Sequence, residues 1–310
     1  MITILKKTES GIRSIPEVVE GCWINVVNPT PQEIEHLSSL GIPQDFITYP
    51  LDIDERPRME REDNGETLIV IRIPSYEGSY PDLPYITIPL GIILMPTFIV
   101  TVCSRRYDIL EEFESGKVKD TSTGKRNRFL LRILLRTAYK YLAYLRDINK
   151  TVETLEDQLQ LAMRNRELLE ILKYQKSLVY FTTALRSNQL VLERLYRGRL
   201  FTQYPEDEDL LEDVITENQQ AIEMTNISSN ILSSMMDAFA SIISNNLNMV
   251  MKFLASITIV VSLPTVITGF YGMNVDLPLQ GNQLAFLVIL GMILLTSIII
   301  IIVFAKRDWF

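Results

Sequence analysis

The chain has 310 residues, room for one large domain or two modest ones, and 47 % of them are apolar against an ordinary 22 % charged. Thirteen Gly and fourteen Pro exclude collagen-like or low-complexity chains, and two cysteines (Cys22 and Cys103) with one histidine (His36) exclude a disulfide framework and a Cys/His zinc cage. A net charge of −8 argues against nucleic acid as a partner, which would want a basic face, and suits metal cations better.

Up to residue 124 the pattern is mixed. Cys22–Val26, Thr67–Ile73, Tyr85–Met95 and Thr97–Cys103 are rich in Ile, Val, Thr and Tyr and predict strands. Thr30-Pro31-Gln32-Glu33 predicts a helix start running to about Leu40, with a cap, a first-turn proline and a capping-box Glu. Met95-Pro96 between two strand-like runs predicts a hairpin. Residues 1–124 therefore read as a small α/β domain.

From 125 the apolar period becomes helical. Leu130, Ile133, Leu134, Thr137, Tyr141, Tyr144, Leu145 and Ile148 recur at three- and four-residue steps, and Leu155, Leu159, Met163, Leu168, Leu172, Leu178 and Leu185 continue the face to Arg197. A second helix is expected after Pro205, running without Gly or another Pro into an apolar span; Glu206 to Gly269 would measure about 95 Å. Residues 125–247 form this long-helix stalk. Helices of such length need partners, which favours an oligomer.

Two uncharged runs close the chain, Phe253–Tyr271 and Leu284–Ala305, each near the ~20 residues that cross a bilayer. They define a first span over 248–273, a loop over 274–283, a second span over 284–305 and a basic tail over 306–310. Lys252 precedes the first span and Lys306-Arg307 follow the second, whereas the loop carries only Asp276. The positive-inside rule then places both termini in the cytoplasm and the loop outside, and free thiols fit a reducing compartment.

The first span bears a stripe of small and polar residues. Asn248, Met251, Ala255, Thr258, Ser262, Thr265, Gly269 and Gly272 follow one another at alternating steps of three and four, on one helix face. Tight helix–helix packing and the lining of a pore both use such a stripe. Two spans cannot enclose a pore, so a conduit requires several copies with the first span innermost. Pro264 removes a hydrogen bond to Val260 and favours a kink.

Tyr271-Gly272-Met273-Asn274, closing the first of two C-terminal spans, resembles the signature of CorA-type magnesium channels. Asn248-x-x-Met251-Lys252, Pro264-Thr265 and Lys306-Arg307-Asp308-Trp309-Phe310 resemble the same family's C-terminal third, and Arg56-Pro57-Arg58-Met59-Glu60 resembles an Arg-Pro-Lys-Val-Glu element. The resemblance implies an α+β membrane protein: a homopentameric funnel with a cytoplasmic α/β domain, stalk helices and two transmembrane helices in the plasma membrane. It implies passive, potential-driven Mg²⁺ uptake, with Gly272, Met273 and Asn274 as the selectivity filter and Asn274 receiving hydrated Mg²⁺. Asn248, Met251, Leu254, Ala255, Thr258, Ser262, Thr265 and Gly269 would face the conduction path. Ser262 stands where many relatives have a larger apolar residue.

An acidic cluster, Glu206, Asp207, Glu208, Asp209, Glu212, Asp213 and Glu217, opens the stalk with no interleaved base. On composition it is a solvated helix start favoured by the macrodipole. The resemblance places a regulatory Mg²⁺ site at Asp213, between subunits, closing the channel when cytosolic Mg²⁺ is high. The family's partner acid is replaced near Tyr49-Pro50, which leaves Asp52 and Asp54, shifted in register, as substitutes. Neither a phosphate-binding loop nor a catalytic dyad is present, so neither a pump nor an enzyme is expected. Two alternatives stand: a Zn²⁺, Co²⁺ or Ni²⁺ transporter of the same architecture, against which Met273 weighs, and a membrane-anchored coiled-coil scaffold or receptor without a pore.

Overall fold

A computed structural model describes residues 1–8, 11–78, 82–118, 121–162, 165–198, 204–278, 284–307 and 309. The chain divides into two compact units, Met1–Ser234 and Met235–Phe310.

The first unit is built on a seven-stranded sheet: β1 (Ile2–Thr8), β2 (Gly11–Ser14), β3 (Trp23–Val27), β4 (Arg58–Arg61), β5 (Thr67–Tyr76), β6 (Tyr85–Leu94) and β7 (Ile99–Cys103), in the order β2-β1-β3-β7-β6-β5-β4. Only β3 and β7 pair in parallel; the other pairs are antiparallel. The four expected strands are β3, β5, β6 and β7, and β6 and β7 form the expected hairpin across Met95-Pro96. The helix predicted from Thr30 is α1 (Pro31–Ser39), where the Thr30 side chain accepts from the Glu33 backbone N–H and Glu33 reaches back to Thr30 N–H, completing the capping box.

Period-two alternation sends alternate strand residues to opposite faces. Leu68, Val70, Ile93, Val100 and Val102 meet Leu37 of α1, then Phe46 and Ile47 of α2 (Gln44–Thr48) and the 3-10 turn Tyr49–Leu51. Ile69, Ile71, Leu90, Ile92 and Trp23 face the opposite core, which holds Phe113 of α3 (Asp108–Glu114) and Phe129 and Leu130 of α4 (Arg126–Ala162). That core also takes Val191 and Leu195 of α5 (Asn165–Arg197) and Leu211 and Val214 of α6 (Pro205–Tyr271).

The helical run from 125 to 197 is two elements rather than one. Tyr141 of α4 lies 5.0 Å from Phe181 of α5, ring centroid to ring centroid, edge to face, so the run folds back on itself as two packed helices. No Gly or Pro marks that reversal in the sequence, and Met163 of the expected face lies outside the described residues.

β5 runs ten residues while β4 covers only four, Thr67 to Val70. The backbone of β5 beyond β4 would be an open edge. Asn188 of α5 closes it: its Oδ1 accepts from Arg72 N–H at 2.9 Å and its Nδ2 donates to the Arg72 carbonyl at 2.8 Å, with Tyr141 O–H donating to the same carbonyl at 3.0 Å. Asn188→Ala should destabilise the chain by about 2 kcal/mol, since it strands a backbone N–H in the interior. Chemical denaturation of the detergent-solubilised protein checks this, and an unchanged midpoint would contradict it.

Candidate ion pathway

The second unit holds the end of α6 and α7 (Ala285–Lys306), and both helices are long and apolar enough to cross a membrane. α7 has no residue buried within the chain, unlike the core helix of a soluble domain. α6 continues through Pro264 to Tyr271.

Burial separates two faces of α6. Ser256 is buried, and Val260, Leu263, Pro264, Ile267 and Tyr271 are partly covered; on α7 the partly covered positions are 285, 289, 293, 296, 297, 300 and 304. An apolar cleft lined by Ile257, Val260, Val261 and Ile301 marks the seam where the two helices lie side by side. The stripe Asn248, Met251, Ala255, Thr258, Ser262, Thr265, Gly269 and Gly272 is exposed throughout, about half a turn from that seam. Leu254 is exposed beside it. The stripe is therefore not the contact between the chain's own two spans.

Each hydroxyl of the stripe donates to a carbonyl one turn back: Thr258 to Leu254 at 2.8 Å, Ser262 to Thr258 at 2.6 Å and Thr265 to Val261 at 3.1 Å. The protons are engaged along the helix, so what the oxygens turn outward is acceptor capacity.

The helix ends where the Gly-Met-Asn string begins. Gly272 N–H donates to the Thr268 carbonyl at 2.9 Å and Met273 N–H to Phe270 at 3.2 Å. A Cβ at Gly272 would sit 3.2 Å from the Thr268 oxygen, a tight approach that glycine avoids. Asn274 follows at the bend, exposed beyond the helix end. Loop residues 279–283, with Asp308 and Phe310 of the tail, lie outside the described residues; Trp309 stacks on Phe304 at 5.0 Å.

The acidic cluster sits at the start of α6, and Arg128 of α4 supplies a base that the acidic stretch itself lacks. Arg128 binds Asp207 at 2.6 Å and Glu206 at 2.7 Å, and hydrogen bonding to Asp207 leads in raising its pKa. Arg132 and Arg136, each four residues further on, belong to the same face. Burial, then the carboxylates of Glu217 and Asp213, push the Tyr139 phenol up, with Arg136 and Arg132 pulling against them. Arg136 pairs instead with Glu112 of α3 at 3.1 Å, so Arg128 is the base of α4 that binds the acidic opening.

Asp213 is exposed, as are Asp52 and Asp54. Asp52 is engaged locally, its carboxylate accepting from Asp54 N–H at 3.0 Å, and the Arg72 guanidinium holds the same loop through the carbonyls of Ile53 and Glu55, each at 3.0 Å. Among the described residues of one chain no three His, Cys, Asp or Glu side chains converge to hold a metal.

A family profile described as CorA-like Mg²⁺ transporter protein matches residues 20–307. The chain is 31 % identical over 328 residues to the cobalt/magnesium transport protein CorA of Methanocaldococcus jannaschii, covering 100 % of both. It is 23 % identical to the cobalt/magnesium transport protein CorA of Thermotoga maritima, covering 93 % of this chain and 83 % of the relative. The complete structure of the CorA magnesium transporter from M. jannaschii matches with a TM-score of 0.87 at 27 % identity, over 100 % of this chain and 99 % of that one. The α/β unit, the long helices and the two C-terminal apolar helices thus belong to a known membrane architecture, and the chain is a member of the CorA-like Mg²⁺ transporter family.

Proposed function

We propose that five copies assemble in the plasma membrane, with both termini cytoplasmic, and conduct Mg²⁺ passively inward along α6. The observation that carries this reading is the uncovered stripe of α6 on the face turned away from α7. Placed around an axis, it would present Asn248, Met251, Leu254, Ala255, Thr258, Ser262, Thr265 and Gly269 to the ion.

Mg²⁺ gives up its waters reluctantly, and the outer surface of a hydrated dication offers only hydrogen-bond donors. Acceptor oxygens at Thr258, Ser262 and Thr265 suit that surface, as does a collar of Asn274 amide carbonyls at the mouth shaped by Gly272 and Met273. Neither span contains an acid, so binding stays weak enough for release. Met251 and Leu254 offer apolar rings near the inner end, where a constriction gates by dewetting. An inside-negative potential drives a dication by about 4.6 kcal/mol per 100 mV.

Liposomes holding the protein and a Mg²⁺ indicator, with a K⁺ diffusion potential imposed, test the reading. Uptake should rise steeply as the interior is made negative; uptake indifferent to potential would overturn passive conduction. Co²⁺ added outside should compete for the same path.

Closure by cytosolic Mg²⁺ follows from the same assembly. Among its described residues one chain gathers too few carboxylates for a metal, so Asp213 would share an ion with a neighbouring subunit, Asp52 and Asp54 being the nearest substitutes for the family's partner acid. Asp213→Ala should raise the cytosolic Mg²⁺ that half-suppresses current by about fivefold or more, the lower end of ordinary coupling energies. An unchanged inhibition curve would remove Asp213 from the sensor.

A further inference from the structure

A cleft of about 530 Å³ opens between β5, β6 and α4, lined by Tyr76, Tyr85, Tyr144, Asp147 and Lys150. Tyr85 is its floor, 6 % exposed, and its ring lies 5.0 Å from Tyr76 and 5.1 Å from Tyr144, centroid to centroid, both tilted. Tyr76 is 48 % exposed at the rim, a large aromatic surface left in water. Asp147 stands one turn beyond Tyr144 on α4 and makes no ion pair among the described residues. Its charge reaches the rings, adding to the burial that holds the Tyr85 phenol well above its ordinary range.

We propose that this cleft binds a small organic ammonium ion of the quaternary, weakly hydrated kind. Phenol rings meeting around a pocket present negative faces, and a neighbouring carboxylate supplies the counter-charge; together they attract a cation that sheds water easily. Hydrated Mg²⁺ is excluded by the same chemistry, since rings do not replace its waters and one carboxylate is too few. The chain already shows Tyr144 taking an ammonium: Lys140 Nζ sits 4.8 Å from its ring centroid while paired with Asp108.

Binding of radiolabelled choline to the full-length protein in detergent tests the proposal without reference to transport. Saturable binding in the millimolar range is expected, displaced by tetramethylammonium and unaffected by equal Mg²⁺. Asp147→Asn and Tyr76→Leu, both at exposed positions, should each weaken it about fivefold, whereas Tyr76→Phe should stay within about twofold. Absence of saturable binding, or binding indifferent to both Asp147→Asn and Tyr76→Leu, would overturn the proposal. So would binding that emerges only in Lys150→Ala, because the chain's own ammonium would then be the occupant.

Discussion

Asn274→Ala is expected to lower Mg²⁺ uptake into liposomes by about a hundredfold, equivalent to about 2.7 kcal/mol. The side chain stands exposed immediately past the end of α6, at the bend that Gly272 permits. In the proposed assembly its amide oxygen accepts hydrogen bonds from the first water shell of the ion. Bonds involving such polarised waters have the strength of those to charged groups, about 1.5–3 kcal/mol each. Alanine leaves no acceptor, so the ion would meet an apolar rim and lose its first binding step. Asn274→Asp separates attraction from conduction: a carboxylate collar should bind the dication more tightly and release it more slowly, reducing flux while raising apparent affinity. Wild-type flux in a folded Asn274→Ala protein would overturn the filter assignment, and with it the outer position of this bend.

Gly91→Ala is expected to destabilise the α/β unit by about 3 kcal/mol, the upper end of ordinary overpacking. Gly91 lies in β6 between Val70 and Val102, on the sheet face that meets the 3-10 turn. A Cβ there would fall 2.2 Å from Cγ and 2.8 Å from Cβ of Pro50, which is itself buried. A proline ring cannot swing aside as a long side chain does, so either the turn or the strand must move. A unit of this size loses about 2–4 °C per kcal/mol, so its melting temperature should fall by about 6–12 °C in a circular-dichroism melt of the full-length protein. Gly124→Ala is the control: its nearest neighbour would be the Ser122 hydroxyl at 3.8 Å, and its melt should match wild type. Equal melts for both variants would show that the strand and turn are not in this close contact. The same turn leads into the loop bearing Asp52 and Asp54, so Gly91→Ala also reports whether that loop depends on the sheet beneath it.

Sequence patterns were most legible where one residue type did one physical job. Val, Ile and Thr runs marked β3, β5, β6 and β7, and the capping box at Thr30 and Glu33 marked α1. β1, β2 and β4 went unread: they are edge or near-edge elements whose pairing, rather than their composition, makes them strands. β4 in particular is Arg58–Arg61, overlapping the end of the Arg56-Pro57 element, with three charged residues among four. The acidic opening of α6 read as unpaired because its base, Arg128 in α4, lies about eighty residues upstream.

Some properties of this protein were set by its linear order alone. Two uncharged runs long enough to cross a bilayer, a stripe at alternating steps of three and four, and basic residues beside the spans are one-dimensional facts, because helix periodicity and hydrophobic length are local. Tertiary structure decided which side of α6 the stripe would occupy relative to α7, and turned one helical run into the antiparallel pair α4 and α5 without a Gly or Pro to announce it. It also gathered Tyr76, Tyr85, Tyr144 and Asp147 around one cleft. Each of those outcomes depends on what packs against what, and burial is a relation between distant segments that no local pattern carries.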